Sequence, residues 1–123
     1  MQKGEKIMTI LDLKPIITDI IGAVDIKDND IVCDESTREK IKQVAEYSKG
    51  TSLYKETAEE RKQLIKENAD ASLTDVYMLL MKCIINAPTN VYMFSYVILL
   101  MPLVDDLMDK PNSILGSVYK NEV

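Results

Sequence analysis

The chain contains no histidine and no tryptophan, and it has only two cysteines, four glycines, four prolines and one phenylalanine. Without histidine it lacks the usual general base at neutral pH and the commonest zinc ligand. The low glycine and proline counts exclude collagen-like and low-complexity chains, and two cysteines are too few for a disulfide-rich scaffold. The composition is that of an ordinary folded domain with little of the chemistry that catalysis and zinc binding require.

The size and charge of the chain fit one small acidic domain. It has 123 residues, 46% of them hydrophobic, which suffices for one core but not for two. Its 15 basic and 20 acidic side chains argue against nucleic acid as a partner. Apolar residues at helical spacing predict a single all-α domain over residues 9–123, a compact bundle of about five helices with a hydrophobic C-terminal helical hairpin.

The first eight residues are predicted to be a disordered leader. Lys3-Gly4-Glu5 can be encoded by a purine-rich run like that of a bacterial ribosome-binding site, and Met8 follows at a suitable distance. Met8 is therefore a candidate natural start, and an ordinary disordered tail is the other interpretation. A start at Met8 would indicate a bacterial or phage gene.

The two cysteines, Cys33 and Cys83, lie far apart and form no C-x-x-C motif. No signal peptide precedes them, so we expect a cytoplasmic protein in a bacterial cell, with both thiols reduced and packed as small hydrophobic side chains. The carboxylates of Asp34 and Glu35 raise the pKa of a neighbouring thiol, which is unfavourable for a catalytic cysteine.

The first helix is predicted over residues 10–21, ending near Gly22, with a short strand at residues 9–13 as the alternative. The acidic residues that follow, over 25–35, have some of the spacing of a calcium-binding EF-hand loop. That motif fails because the required glycine is replaced by Cys33. We therefore expect a solvated acidic connector.

Three sequence pairs match the capping box, in which a serine or threonine and an acid three residues later satisfy the first amides of a helix. They predict a second helix over 37–48 with a left-handed stop at Gly50, and a third over 57–69. Residues 34–70 carry nine acids and eight bases, so we expect the third helix to lie outermost. The pairs are Ser36–Glu39, Thr57–Glu60 and Ser72–Asp75.

The chain becomes strongly apolar at Leu73, and up to Val104 only Asp75 and Lys82 are charged. This stretch predicts a fourth helix at 73–86 and a fifth at 90–108. A helix that is apolar on all sides is buried in a core, an interface or a membrane.

A membrane-spanning hairpin is the less favoured interpretation of these two helices. A spanning helix needs about 20 apolar residues. The apolar runs here are shorter, Pro102 interrupts the second, and no basic clusters flank them.

No arrangement of side chains predicts an enzyme, a metal site or a cofactor site. The serines have no histidine partner, and the four glycines are too isolated to form a phosphate-binding loop. Asp105, Asp106 and Asp109 lie near the end of the fifth helix, where acids are unfavourable. We therefore expect a basic neighbour there, contributed by a partner chain.

Tyrosine and methionine are concentrated in the last two predicted helices. Methionine adapts to irregular surfaces and tyrosine is enriched at interfaces, although both also occur in cores. The first helices offer too little apolar surface to cover two helices that are apolar on most sides, and an exposed apolar patch indicates a partner. The predicted contact residues are Tyr77, Met81, Tyr92, Tyr96 and Met101.

Four segments resemble the tail assembly chaperones of phages that infect Gram-positive bacteria, in size, charge and layout. They are the start at 9–14, Leu64-Ile65, Met78-Leu79-Leu80, and the Ala-Pro break at 87–92, and the resemblance spans residues 9–104. It implies an α-helical, non-enzymatic protein that coats the tape measure protein and is released as the tail tube polymerises. No individual functional residue is carried over.

The sequence therefore predicts a phage or prophage adaptor or tail assembly chaperone that binds a protein partner through an apolar helical surface. Self-association through that surface, as a two-fold dimer, is equally compatible with the pattern. The alternatives are an acidic inhibitor of a host defence or transcription protein, against which the mixed charges of residues 34–70 argue, and the membrane hairpin.

Overall fold

The computed structural model describes residues 10–28, 30–110 and 112–120, and in this part of the chain it contains seven helices and one small antiparallel sheet. The all-α prediction is confirmed. The predicted leader, including Met8, lies outside the described residues. The elements are α1 (Ile10–Ala23), β1 (Asp25–Lys27), β2 (Asp30–Val32), α2 (Glu35–Lys49), α3 (Ser52–Glu56), α4 (Ala58–Glu67), α5 (Leu73–Ile85), α6 (Asn90–Met108) and α7 (Leu115–Val118).

Helix α6 is the centre of the fold. Helices α2 and α5 pack along it, α1 packs against α2, and α3 and α7 make smaller contacts with α6. Ten of its 19 residues are buried, and this coverage explains why its sequence has no polar stripe. The other buried apolar residues are Leu13, Ile17, Ile20, Ile41, Val44, Ala45, Ile65, Val76, Tyr77, Leu80 and Leu115.

The start of α5 agrees with its predicted capping box. Ser72 Oγ accepts a hydrogen bond from the Asp75 amide at 3.3 Å, and Asp75 Oδ2 accepts one from the Ser72 amide at 3.0 Å. The predicted capping box at the start of α2 is wrong, because Asp34 rather than Ser36 is the cap. Asp34 Oδ1 accepts from the Thr37 amide at 2.8 Å, which lowers the pKa of Asp34. Aspartate is as favourable as serine at the N-cap position, and because Asp34 precedes Ser36, α2 begins at Glu35.

The predicted capping box at Thr57 is also wrong, because α3 ends immediately before it. The hydroxyl of Thr57 donates to the Leu53 carbonyl at 2.8 Å and to the Tyr54 carbonyl at 3.2 Å, so it bonds to the end of α3 instead of capping α4. Gly50 is right-handed, with φ −87°, because the chain turns directly into α3. Arg61 of α4 joins the two short helices, donating to the Tyr54 carbonyl at 2.7 Å and lying 3.5 Å above the Tyr54 ring.

The acidic connector predicted at residues 25–35 contains a short β-hairpin. Strands β1 and β2 pair antiparallel, with Ile26 opposite Ile31. Asp28 adopts φ 52° in the turn, a conformation that aspartate tolerates better than most residues. The alternative strand at the start of α1 is wrong over Ile10–Leu13, which is helical.

Helix α7 closes against the link between α4 and α5. The Leu115 amide donates to the Ala71 carbonyl at 2.9 Å, and the Gly116 amide donates to the Ala69 carbonyl at 2.8 Å. A Cβ at Gly116 would stand 2.9 Å from the Ala69 Cβ and 3.0 Å from its carbonyl oxygen. This close approach therefore requires glycine.

We expect Gly116→Ala to lower the free energy of unfolding by about 1–3 kcal/mol, since the added methyl must displace backbone as well as the Ala69 side chain. Gly22→Ala is the matched control. It lies inside α1 with nothing within 4 Å of its added Cβ, so the same substitution there should stabilise by about 0.5–1 kcal/mol. Urea unfolding of both variants checks the prediction, and effects of equal sign would contradict it.

Candidate functional site

Helix α5 buries one face and exposes the other. Val76, Tyr77 and Leu80 point into the core, with at most 5% of each residue exposed. On the opposite face Met78 is 53% and Ile85 is 74% exposed. Because successive helical residues are about 100° apart, Lys82 lies at the centre of this outer face. An exposed apolar edge therefore runs from Met78 to Ile85, with Lys82 beside it.

The outer face of α5 borders a groove of about 550 Å³ whose other wall comes from α4. Its lining is mainly apolar, with a few polar groups at the rim, as is usual for sites that bind ligands or peptide segments. The apolar lining residues are Leu64, Ala71, Val76, Met78, Leu79, Met81 and Ile85. The polar ones are Asn68, Asp75, Lys82 and Asn86.

The tip of the α5–α6 hairpin extends the apolar surface beyond the groove. Val91 is 69% and Tyr92 is 54% exposed at the beginning of α6. Only residues 86–89 separate the two helices, so these side chains lie at the same end of the molecule as Ile85. Exposed apolar side chains are normal singly, whereas a contiguous set indicates an interaction surface.

Two of the five predicted contact residues are buried. Tyr77 is 5% and Met101 is 1% exposed, so neither is available to a partner in this fold. Tyr77 lies on the core side of α5, and Met101 lies on the stretch of α6 that α2 and α5 enclose. Burial raises the pKa of Tyr77, with a smaller contribution from Cys33.

The other three predicted contact residues are accessible to different degrees. Met81 is half-buried and lines the groove, Tyr92 is exposed at the hairpin tip, and Tyr96 is half-buried on α6. Their role in binding stays a prediction. Met78, Ile85 and Val91 are exposed but were not among the predicted contact residues, although the phase of Val76 and Leu80 along α5 indicates that Met78 and Ile85 lie outside.

The acids near the end of α6 have basic neighbours, as predicted, but these come from the same chain. Arg38 of α2 donates from Nη1 to Asp105 Oδ1 at 2.7 Å and from Nη2 to Asp109 Oδ1 at 2.6 Å. Burial lowers the pKa of Arg38, but the hydrogen bonds and charges of the two aspartates outweigh it and raise that pKa. Asp106 pairs with Lys49 at 3.6 Å and accepts a hydrogen bond from the Tyr119 hydroxyl.

The described residues contain no group of three or more acids and cysteines placed to hold a metal ion. Both thiols are free and half-buried. Burial raises the pKa of Cys33 and of Cys83, so neither is activated as a nucleophile. The cluster of acids and Arg38 therefore joins α2 to α6, and the apolar groove is the candidate site.

Within the described ranges one helix, α6, is long and apolar enough to cross a membrane. Helix α6 continues through Pro102, as its predicted range requires, and Pro102 is buried. Helix α6 is also the one that the rest of the fold covers, and core helices pass the same test of length and composition. No protein-family profile, curated protein or solved structure matches the chain.

Proposed function

We propose that this chain is a non-enzymatic interaction protein, a phage or prophage adaptor or tail assembly chaperone, that holds an apolar helical segment of a partner protein in the groove between α4 and α5. The observation that carries the proposal is the apolar edge of α5, where Met78 and Ile85 face solvent beside a mainly apolar groove. An amphipathic helix laid in such a groove buries its apolar stripe.

The proposed partner is a phage tape measure protein, which the resemblance to tail assembly chaperones implies. The hairpin tip supports a helical partner longer than the groove, since Val91 and Tyr92 continue the apolar surface past Ile85. The absence of an activated nucleophile or a metal-binding group from the described residues is compatible with binding as the whole activity.

The test is co-expression with the tape measure protein, followed by measurement of its solubility and of the affinity of the purified pair. We expect the double variant Met78→Glu/Ile85→Glu to bind at least about tenfold more weakly, because it places two charges where apolar surface is desolvated. Gln43→Glu, on the exposed side of α2, adds the same kind of charge away from the groove and should bind like the unmodified chain.

Unchanged binding by the double variant would overturn the assignment of the groove. Equal loss in Gln43→Glu would show that added negative charge, rather than the groove, controls the interaction.

A further inference from the structure

The outer face of α5 carries two charges of opposite sign. Asp75 and Lys82 are the only charged residues of this helix, and both are exposed at the rim of the groove. Seven residues, or two turns, separate them, which is about 10.5 Å along the axis. Neither forms an ion pair within the described part of the chain, and Met78 lies between them.

This arrangement is complementary to itself. If two copies of α5 lie antiparallel about a two-fold axis beside Met78, each Asp75 stands level with Lys82 of the other copy, and two opposite-charge pairs flank an apolar centre. A parallel arrangement would instead place like charges together. We propose that a second copy of this chain occupies the groove when no other partner is bound, with the two α5 helices antiparallel.

The surroundings of α5 support the antiparallel arrangement. A depression near the amino end of α5 has a net negative charge, because it is lined by three acids and one base, whereas Lys82 lies toward the other end of the helix. The acids are Glu67, Asp70 and Asp75, and the base is Lys66. Antiparallel pairing therefore brings the acidic end of each copy to the basic residue of the other. The apolar residues Met78 and Ile85 would leave water at the same time.

The inference rests on the proposed function, because it assigns the first occupant of the same groove. It adds that self-association and binding of another protein exclude each other. A partner must then displace one copy, and the apolar face of α5 stays covered until that exchange.

The test uses charge reversal of the full chain and analytical ultracentrifugation over a concentration series. The unmodified chain should dimerise. Lys82→Asp alone and Asp75→Lys alone should each self-associate at least about tenfold more weakly, since symmetry turns both pairs repulsive. An equimolar mixture of the two variants should form a heterodimer at least about tenfold more tightly than either associates with itself, because both pairs are then attractive.

Asp75→Lys also removes the carboxylate that accepts from the Ser72 amide in the α5 capping box, so the thermal unfolding of this variant is measured as well. If that variant does not fold, Met78→Cys in a chain with Cys33→Ala and Cys83→Ala replaces it. A cysteine beside the two-fold axis should form an intermolecular disulfide readily, and Lys42→Cys on the outside of α2 in the same background should not.

A monomeric unmodified chain, a mixture that does not associate, or equal crosslinking at both cysteine positions would overturn the dimer. These outcomes are separable from failure of the proposed function. If the chain stays monomeric but keeps the tape measure protein soluble, only the proposed dimer is overturned. If the chain dimerises but never binds the tape measure protein, only the proposed function is overturned.

Discussion

Replacing Arg38 with methionine should lower the free energy of unfolding by about 2–4 kcal/mol. Arg38 is the ion-pair partner of Asp105, whose side chain is only 7% exposed, and its own side chain is 22% exposed. Removing the guanidinium leaves a buried carboxylate without its counter-charge, and breaking such a pair from one side is strongly destabilising. The second carboxylate, of Asp109, is exposed and contributes little.

The matched control for Arg38→Met is Lys40→Met on the same helix. Lys40 pairs with Asp19 of α1 at 3.6 Å, and the two side chains are 39% and 62% exposed, so neither charge is buried. That substitution should change the free energy of unfolding by about 0.5 kcal/mol or less. Adding Asp105→Asn to Arg38→Met should recover about 1 kcal/mol, because it removes the unpaired charge. Urea unfolding gives all three values, and equal losses in the two single variants would show that Arg38 is not a buried partner.

The second large loss of stability is expected from a substitution in α5, where positions two residues apart lie on opposite faces of the helix. Leu80→Ala should lower the free energy of unfolding by about 2–5 kcal/mol, since Leu80 is 1% exposed and its loss leaves a cavity. Met78→Ala, two residues earlier and 53% exposed, should change it by about 0.5 kcal/mol or less.

Thermal unfolding separates these two variants of α5. Each kcal/mol of destabilisation lowers Tm by about 3–6 °C in a chain of this size. The Leu80 variant should therefore unfold about 6–30 °C below the unmodified chain, and the Met78 variant should unfold within about 3 °C of the unmodified chain. A large loss at Met78 would mean that the groove wall is part of the core, and the candidate site would be wrong.

Much of the fold could be predicted because its signals are local. The Ser72–Asp75 capping box and the start and end of α6 follow from short-range chemistry, and both agree with the structure. The cap of α2 was misassigned because Asp34 and Ser36 are both competent caps and only the folded chain selects one. The short α3 and α7 depend on contacts with α6 and with the α4–α5 link, which no local pattern contains.

The candidate site was predicted only in outline. The surplus of apolar residues on the last two long helices indicated an exposed surface, but it did not distinguish Tyr77 from Met78. On α6 the apolar residues surround the helix, so periodicity could not separate Met101, which is buried, from Tyr92, which is exposed. On α5 the two charges mark the outer face, and that phase is the signal that would have identified Met78 and Ile85.

Helix α7 contacts Ala69 and Ala71, and Ala71 also lines the groove. These two alanines belong to the link that joins the walls of the groove, and their carbonyls are held by the amides of Gly116 and Leu115. The separation of α4 from α5 is thus set partly by a segment more than 40 positions further along the sequence. Changes around Gly116 should alter which helices the groove accepts, although no side chain that lines the groove is substituted.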